Sequence, residues 1–243
     1  MDEKERTMQI SERLMTVASF VSDGSRVADI GTDHAYVPIS LMLDNRIICA
    51  LAMDVREGPL ARAKKHIREY QLENSIHVRL SDGLSAYQKG EADSIVISGM
   101  GGALTERILT EGAGKYEGVR ELILSPQSEI FLVRIWLRKN GWQIERETML
   151  VQDGKYYTVI RAVPGEDGEA RQVEDQYGGY LLKHKHPVLL NYLLQERETI
   201  HKILVMLKKQ IAESQNQAHI ENRIGELTDK LLLVEEALLY YEM

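Results

Sequence analysis

Short apolar runs alternate with amphipathic segments along the first 163 residues. The runs are rich in β-branched side chains and cover residues 26–30, 47–53, 76–80, 94–98 and 122–124. Between and around them, apolar residues recur with helical spacing in residues 8–21, 37–43, 58–70, 102–109 and 128–139. Strands that are apolar on both faces and separated by helices predict a parallel sheet covered by helices on both sides.

The pattern changes after Asn140-Gly141, a pair that typically ends a helix. Residues 142–151 and 156–163 read as two strands, and Asp153-Gly154 between them supplies the positive φ angles of a tight turn. A dinucleotide-binding dehydrogenase has no reason to end in such a hairpin, whereas a methyltransferase sheet does. We therefore predict an α/β fold with a Rossmann-like, seven-stranded class I methyltransferase sheet that ends in an antiparallel hairpin.

The C-terminal part has a different periodicity. Apolar residues there alternate in spacings of four and three, at Ile220, Ile224, Leu227, Leu231, Val234, Leu238 and Tyr241. An earlier set seven residues apart, backed by further apolar positions, can pair with it: Leu193, Ile200, Leu207, Ile203, Leu204 and Ile211. With a helix beginning at Pro187 and a turn over 212–218, this predicts a coiled-coil-like antiparallel hairpin of helices.

These patterns divide the chain into three parts. We predict a methyltransferase domain over residues 1–163, a polar linker over 164–175 and a helical coiled-coil domain over 176–243.

Composition restricts the class of protein. The chain is 44% hydrophobic with a formal charge of -7 and one cysteine, so it can bury a core but forms no internal disulfide. No apolar run approaches the roughly 20 residues that span a bilayer, and the N-terminus lacks a secretory pattern. Only His184 and His186 of the seven histidines are close in sequence. We expect a cytoplasmic protein with no metal and no membrane partner, as a monomer or weak homodimer.

Acidic residues end three successive predicted strands. Asp29 precedes Gly31, Asp54 ends the next strand, and Asp82 precedes Gly83 after the third. Ligands of such sheets bind outside the carboxyl ends of the strands, so the three carboxylates should converge. Asp33 stands where a pyrophosphate fingerprint needs glycine, and it would repel phosphate. A cationic nucleoside such as S-adenosylmethionine fits better, with Asp54 on the ribose hydroxyls and Asp82 near the adenine.

The loop after the central strand carries very little side-chain bulk. It reads Ser98-Gly99-Met100-Gly101-Gly102, and its glycines would let a substrate ring lie against the backbone beside the methyl donor. The loop lacks the Asp/Asn-Pro-Pro-Tyr sequence of enzymes that methylate exocyclic amines. This absence disfavours adenine N6 and leaves ring nitrogens, oxygens and small molecules open.

Taken together, these segments resemble the bacterial tRNA (adenine-N1)-methyltransferases that act on adenine 22, the TrmK family. The matching segments are 11–14, 29–38, 79–84, 98–102, Trp136-Leu137 and 140–142. The resemblance implies S-adenosylmethionine as cofactor and tRNA as partner. It also implies that adenine N1 is methylated after its Watson-Crick face has been released from the RNA fold.

The resemblance and the strand-end pattern together give three sets of site residues. The expected catalytic residues are Asp33, His34 and Tyr36. The expected cofactor-binding residues are Arg13, Asp29, Gly31, Asp54, Asp82, Gly83, Ser98, Gly99 and Met100. The expected tRNA-binding residues are Gly101, Gly102, Gln127, Lys183 and Lys185. In this scheme Asp33 stabilises the charge of the methylated adenine, and Arg13 pairs with the methionine carboxylate.

Further basic clusters are candidate RNA surfaces, including residues 62–68 and 134–139. Two other functions are compatible with the residues alone. One is a methyltransferase for a small metabolite, in which the tail serves dimerisation. The other is a non-catalytic adaptor that keeps the cofactor fold and binds a protein through its helical hairpin.

Overall fold

A computed structural model describes residue 8, residues 10–210 and residues 217–242 of the chain. The chain separates into two compact units, the first ending at Gly168 and the second beginning at Glu169. This division falls within the predicted linker 164–175. The linker prediction is wrong at its C-terminal end, because a helix begins at Gln172.

The first unit alternates strands and helices as predicted. Its strands are β1 (Ser25–Ile30), β2 (Ile47–Asp54), β3 (Ile76–Leu80), β4 (Ser94–Ser98), β5 (Glu121–Ser125), β6 (Trp142–Gln152) and β7 (Lys155–Pro164). Its helices are α1 (Glu12–Phe20), α2 (Tyr36–Leu43), α3 (Glu57–Glu69), α4 (Gly102–Glu111) and α5 (Ile130–Lys139).

The strands form one seven-stranded sheet in the order β3-β2-β1-β4-β5-β7-β6. The first five strands pair in parallel, whereas β7 pairs antiparallel with both β5 and β6. The predicted class I methyltransferase architecture is confirmed. Its order reverses direction at β1 and β4, and a crevice at the carboxyl ends of the strands is where such sheets bind ligands.

The central strands are buried on both faces because helices cover both sides. Ile95 and Ile97 of β4 pack into one apolar cluster, and Val96 packs into the cluster on the opposite face. All three are at most 1% exposed. This explains why β4 reads as an unbroken apolar run rather than an alternating one.

The hairpin turn is tighter than the four residues predicted for it. Only Asp153 and Gly154 lie between β6 and β7, with φ angles of 51° and 72°. Positive φ at both central residues matches the right-handed twist of the flanking strands, which explains the Asp-Gly pair.

Helix α1 begins later than the predicted start at residue 8. The Ser11 hydroxyl accepts a hydrogen bond from the Leu14 N–H at 3.3 Å and caps the helix, so Glu12 is its first residue. A serine at this place satisfies a backbone donor that the helix itself leaves unpaired.

The second unit consists of helices α6 (Gln172–Tyr177), α7 (Gly179–Lys183), α8 (Pro187–Gln210) and α9 (Gln217–Glu242). Helices α8 and α9 pack antiparallel, with Leu193, Ile200, Val234 and Leu238 buried. Residue 211 and most of the predicted turn lie outside the described residues, and α9 already includes Gln217.

A partly buried carboxylate connects three helices of this unit. Glu196 on α8 accepts a hydrogen bond from Tyr177 of α6 at 2.9 Å and pairs with Lys230 of α9 at 2.6 Å. No described helix of the protein is both long enough and apolar enough to cross a bilayer.

Candidate active site

Two buried carboxylates lie at the carboxyl ends of the neighbouring strands β1 and β2. Asp29 and Asp54 are each 7% exposed. One oxygen of Asp54 accepts a hydrogen bond from the Arg56 N–H at 2.8 Å, which fixes that carboxylate at the end of its strand. Burial raises the pKa of Asp29 to about 6; the Thr32 side chain opposes this rise and the Asp54 charge adds to it. Of the three acids that the sequence predicts to converge, Asp29 and Asp54 thus lie on the paired strands β1 and β2.

The segment after β1 is tied to β2 by its backbone. The N–H groups of Gly31 and Thr32 both donate to the Met53 carbonyl, at 2.7 and 2.8 Å. Gly31 has a φ of 75°, and a Cβ built on it would lie 1.9 Å from the Met100 methyl carbon. Glycine is therefore required here for its backbone angle, whereas the flexible end of the Met100 side chain can move away from an added methyl group.

The three predicted catalytic residues lie together beside α3. The Asp33 carboxylate pairs with Arg62 at 2.8 Å and faces Nε2 of His34 at 3.4 Å. The rings of His34, Tyr36 and His66 are nearly parallel, and their centroids are 4.9 to 5.3 Å apart. His66 was missed in the sequence, although its spacing of four residues from Arg62 places both on one helical face.

Two polar groups of this cluster are available to a ligand. The Asp33 carboxylate contacts Arg62 and His34 through Oδ1 alone, which leaves Oδ2 without a partner in the described part of the chain. Nδ1 of His34 is buried and also has no hydrogen-bond partner among the described residues. Nδ1 of His34 is costly to leave unsatisfied because it is buried, whereas the exposed Asp33 carboxylate can be hydrated.

Arg13 reaches the end of β4 from the first helix. Its guanidinium donates to the Ser98 hydroxyl at 2.9 Å and lies 5.4 Å from the centre of the Tyr157 ring. Its N–H donates to the Gln152 side chain at 3.0 Å. The hairpin thus holds Arg13 at the end of β4, next to the glycine loop. Gln152 and Tyr157 had no signal in the sequence because they contact Arg13 only across the fold.

The turn after β3 places Asp82 at the surface. Asp82 is exposed and faces Arg107 of α4 at 3.4 Å. The buried Ser81 hydroxyl donates to the Gly83 carbonyl at 2.8 Å and fixes the turn. Gly83 has a φ of 52°, and a Cβ on it would lie 2.9 Å from Ile108. Glycine is therefore favoured at position 83 by its positive φ angle and by its close packing against α4.

The glycine loop is less open than the sequence suggested. Of its three glycines, only Gly99 has free space, with the Gln127 amide 3.9 Å from a Cβ built there. A Cβ on Gly101 would lie 3.0 Å from the Ser128 hydroxyl, and one on Gly102 only 2.3 Å from the Glu129 carbonyl oxygen. The interpretation of Gly102 as a floor for the substrate is wrong, because the segment before α5 already occupies that space.

The remaining candidates for RNA contact have different positions. Gln127 is exposed, and its N–H donates to the Met100 carbonyl at 2.8 Å, so it borders the glycine loop. Lys183 and Lys185 are exposed residues of the second unit, and Lys183 lies 3.7 Å from Glu174. Arg134 is only 4% exposed and pairs with the buried Glu147, so its assignment to an RNA surface is wrong.

The groups at the carboxyl ends of β1, β2 and β4 fit an S-adenosylmethionine molecule. Two buried carboxylates offer acceptors for the ribose hydroxyls and the ammonium group, and the Arg13 guanidinium offers a partner for the carboxylate. Gly99, with a φ of 85°, leaves the backbone accessible beside them. Among the described residues, no group of three or more histidine, cysteine, aspartate or glutamate side chains could hold a metal ion.

Comparison with known proteins assigns the family. Residues 10–160 match the family model described as a methyltransferase domain. The chain is 35% identical to the tRNA (adenine(22)-N(1))-methyltransferase of Bacillus subtilis over 236 residues, covering 95% of this chain and 98% of that one.

Solved structures agree along nearly the whole chain. The crystal structure of the B. subtilis M1A22 tRNA methyltransferase TrmK superimposes with a TM-score of 0.84 and 34% identity, covering 96% of this chain and 100% of that chain. A Streptococcus pneumoniae protein solved with S-adenosyl-L-methionine gives a TM-score of 0.84 and 35% identity, covering 95% and 100%. The chain therefore belongs to the tRNA (adenine(22)-N(1))-methyltransferase family.

Proposed function

We propose that this protein transfers a methyl group from S-adenosylmethionine to N1 of adenine 22 in tRNA. The observation that carries the proposal is the pair of buried carboxylates, Asp29 and Asp54, which share the carboxyl edge of the sheet with Arg13. This charge arrangement suits a nucleoside that carries sulfonium, ammonium and carboxylate groups, and the relative from B. subtilis that covers almost the whole chain bears that activity in its name.

The residues of the β1 and β2 ends would hold the cofactor. Asp54 would accept hydrogen bonds from the ribose, and the Arg56 N–H engages only one of its oxygens. Asp29 and the turn at Gly31 would face the methionine part, with Arg13 on its carboxylate. The bound cofactor supplies an electrophilic methyl group on a positively charged sulfur.

The reaction needs alignment more than it needs a base. The lone pair of adenine N1 attacks the methyl carbon as the carbon–sulfur bond breaks, so the positive charge passes from sulfur to the adenine ring and no proton is removed. The free Oδ2 of Asp33 is suited to stabilise that charge as it develops. His34 and Tyr36 would orient the base, and the unpaired Nδ1 of His34 offers it a hydrogen bond.

The adenine must leave its place in the RNA before it reaches these groups, at a cost of about a few kcal/mol. Gly99 and Gln127 border the space that the glycine-loop pattern assigns to the base. Lys183 and Lys185 in the second unit would contact phosphates. We expect the protein to act in the cytosol, as a monomer or weak homodimer, and sedimentation across a concentration series tests the latter.

Incubation of the purified protein with labelled S-adenosylmethionine and an unmodified bacterial tRNA transcript tests the function. Nucleoside analysis should show 1-methyladenosine, and a transcript with guanosine at position 22 should remain unlabelled. Labelled small metabolites without labelled tRNA would instead indicate a metabolite methyltransferase. Cofactor binding without any transfer would indicate the adaptor function.

A further inference from the structure

The segment that carries the three candidate catalytic residues has an unfavourable backbone conformation. His34 and Ala35 are consecutive residues with φ angles of 71° and 58°, and neither is glycine. Side chains disfavour this left-handed region, so two such residues in a row persist only where surrounding contacts fix them. The contacts that hold this segment are therefore expected to matter for the site.

One of these contacts is made by Arg62 on α3. Its Nε and one terminal nitrogen donate to Asp33 Oδ1 at 3.0 and 2.8 Å. Because both bonds reach the same oxygen, the guanidinium holds Oδ1 in place and leaves Oδ2 outside this contact. The Arg62 and Asp33 side chains are 47% and 56% exposed, so the pair contributes little to stability and its value lies in orientation.

The second contact is made by His66, one helical turn further along α3. Its Nδ1 lies 3.2 Å from the His34 carbonyl oxygen. Because a carbonyl only accepts, Nδ1 must carry the proton. The His66 ring also lies against His34 and Tyr36, with interplanar angles of 22° and 13°. One side chain thus holds both the backbone of the turn and the two rings it presents.

Helix α3 provides a firm base for both contacts. Leu60, Ala63 and Ile67 are at most 5% exposed, which fixes the helix on the sheet. Arg62 and His66 are four residues apart and project from the same side of the helix. We refer to Arg62 and His66 together as the α3 clamp.

We propose that the α3 clamp positions Asp33, His34 and Tyr36 for methyl transfer, so that Arg62 and His66 are positioning residues of the reaction. The inference rests on the proposed function. It assigns Arg62 to the geometry of the site, although the basic sequence around it suggested an RNA surface.

Substitution of Arg62 separates these two roles. Arg62→Lys keeps the charge that attracts RNA but cannot make the two-nitrogen contact. We expect its single-turnover methylation rate at saturating tRNA to fall about 10- to 100-fold, as for a slightly misplaced group, while tRNA affinity changes less than about threefold. Adding Arg62→Gln to an Asp33→Asn variant should lower the methylation rate by less than a further factor of about two, because the two residues act through one contact.

A matched control is available for this variant. Lys89, before β4, and Glu117, before β5, also form an exposed ion pair, at 3.1 Å, and both lie at the amino ends of these strands, away from the site. Lys89→Gln should methylate tRNA at the wild-type rate. A wild-type rate for Arg62→Lys, together with weaker tRNA binding by Arg62→Gln, would overturn the proposal and make Arg62 a phosphate contact.

For His66, two replacements separate the hydrogen bond from the ring. Asparagine can place an N–H near the position of Nδ1, whereas phenylalanine keeps a ring and has no donor. We expect His66→Asn to retain a single-turnover rate within about fivefold of wild type, and His66→Phe to be slower by about tenfold or more. His77→Asn, at an exposed position of β3, is the control and should behave as wild type.

Nitrogen NMR of the histidine rings tests the contact without any substitution. With neutral imidazoles, His66 should be protonated at Nδ1; protonation at Nε2, or full activity of His66→Phe, would overturn its assignment. The two proposals fail separately. Absence of 1-methyladenosine from wild-type reactions removes the proposed function, whereas active wild type with unaffected clamp variants removes only the clamp.

Discussion

Asp29 is a buried carboxylate whose ionisation opposes folding. Burial raises its pKa to about 6, whereas an unfolded aspartate titrates near 3.8. Between these values the folded state binds more protons than the unfolded state, so this group lowers stability as pH rises from about 4 to 6. Above pH 6 the full cost remains, roughly 3 kcal/mol for a shift of about two units.

The loss of stability with rising pH leads to a first prediction, for the Asp29→Asn variant measured without cofactor. The variant should be more stable than wild type at pH 7 by up to about 3 kcal/mol, and the difference should shrink towards pH 4. Urea denaturation at several pH values measures it. A difference that stays constant across this range, or grows as pH falls, would contradict the raised pKa.

A second prediction separates the roles of the other two acids. Asp54→Ala should weaken S-adenosylmethionine binding by about tenfold or more in calorimetry, because the ribose no longer has a charged acceptor. Asp33→Ala should bind the cofactor nearly as wild type and mainly slow turnover. If Asp54→Ala binds the cofactor with wild-type affinity, the ribose assignment fails.

Among single residues, the sequence indicated the acidic residues but not the side chains that contact them. Asp29 and Asp54 were predictable because they end apolar runs, and the strand ends of a parallel sheet meet. Arg62 and His66 were not, because their partner segment lies about thirty residues earlier and the contact depends on how α3 docks. Gly102 was misread because a glycine required by packing and one required by a ligand look the same in a sequence.

Helix α4 begins where the chain passes very close to the segment before α5. A methyl group on Gly102 would lie 2.3 Å from the Glu129 carbonyl oxygen and 2.5 Å from that of Ser128. Both neighbours are backbone atoms, which cannot rotate away. The start of α4 and the approach to α5 are therefore fixed together by this one glycine.

Our third prediction follows for Gly102→Ala. The variant should be less stable by about 1–3 kcal/mol through overpacking, measured by urea denaturation. Gly225→Ala is the control, since no atom lies within 4 Å of a Cβ in that helix, and it should gain about 0.5–1 kcal/mol. Equal effects of the two substitutions would show that the α4–α5 approach is loose.

Most elements of the fold were predictable because their periodicity is strong. The strands, the hairpin and the two long helices all follow from it. Helices α6 and α7 were missed, because six and five residues are too few to show a helical repeat.

The whole molecule carries a formal charge of -7 and yet is proposed to bind a polyanion. Attraction must then come from local groups of cations rather than from the net charge, and it should weaken steeply with salt. Lys183 and Lys185 are exposed members of such a group in the second unit.

A fourth prediction concerns these two lysines. Lys183→Gln with Lys185→Gln should weaken tRNA binding and reduce the slope of log affinity against log salt by about 0.7–0.9 for each phosphate that is no longer neutralised. The methylation rate at saturating tRNA should stay within about twofold of wild type. Lys202→Gln, an exposed lysine of α8 paired with Glu198, is the control. An unchanged salt slope in the double variant would remove both lysines from the RNA surface.

The position of β7 between β5 and β6 has a consequence for synthesis on the ribosome. The last strand of the sheet to emerge is an internal one, so β5 has an open edge until residues 155–164 have been made. Leu122, Ile123 and Leu124 of that edge are fully apolar. A nascent chain that stalls before β7 has been made would expose the unpaired apolar edge of β5, which is prone to aggregation. Chaperone protection would be needed most between the synthesis of β5 and that of β7.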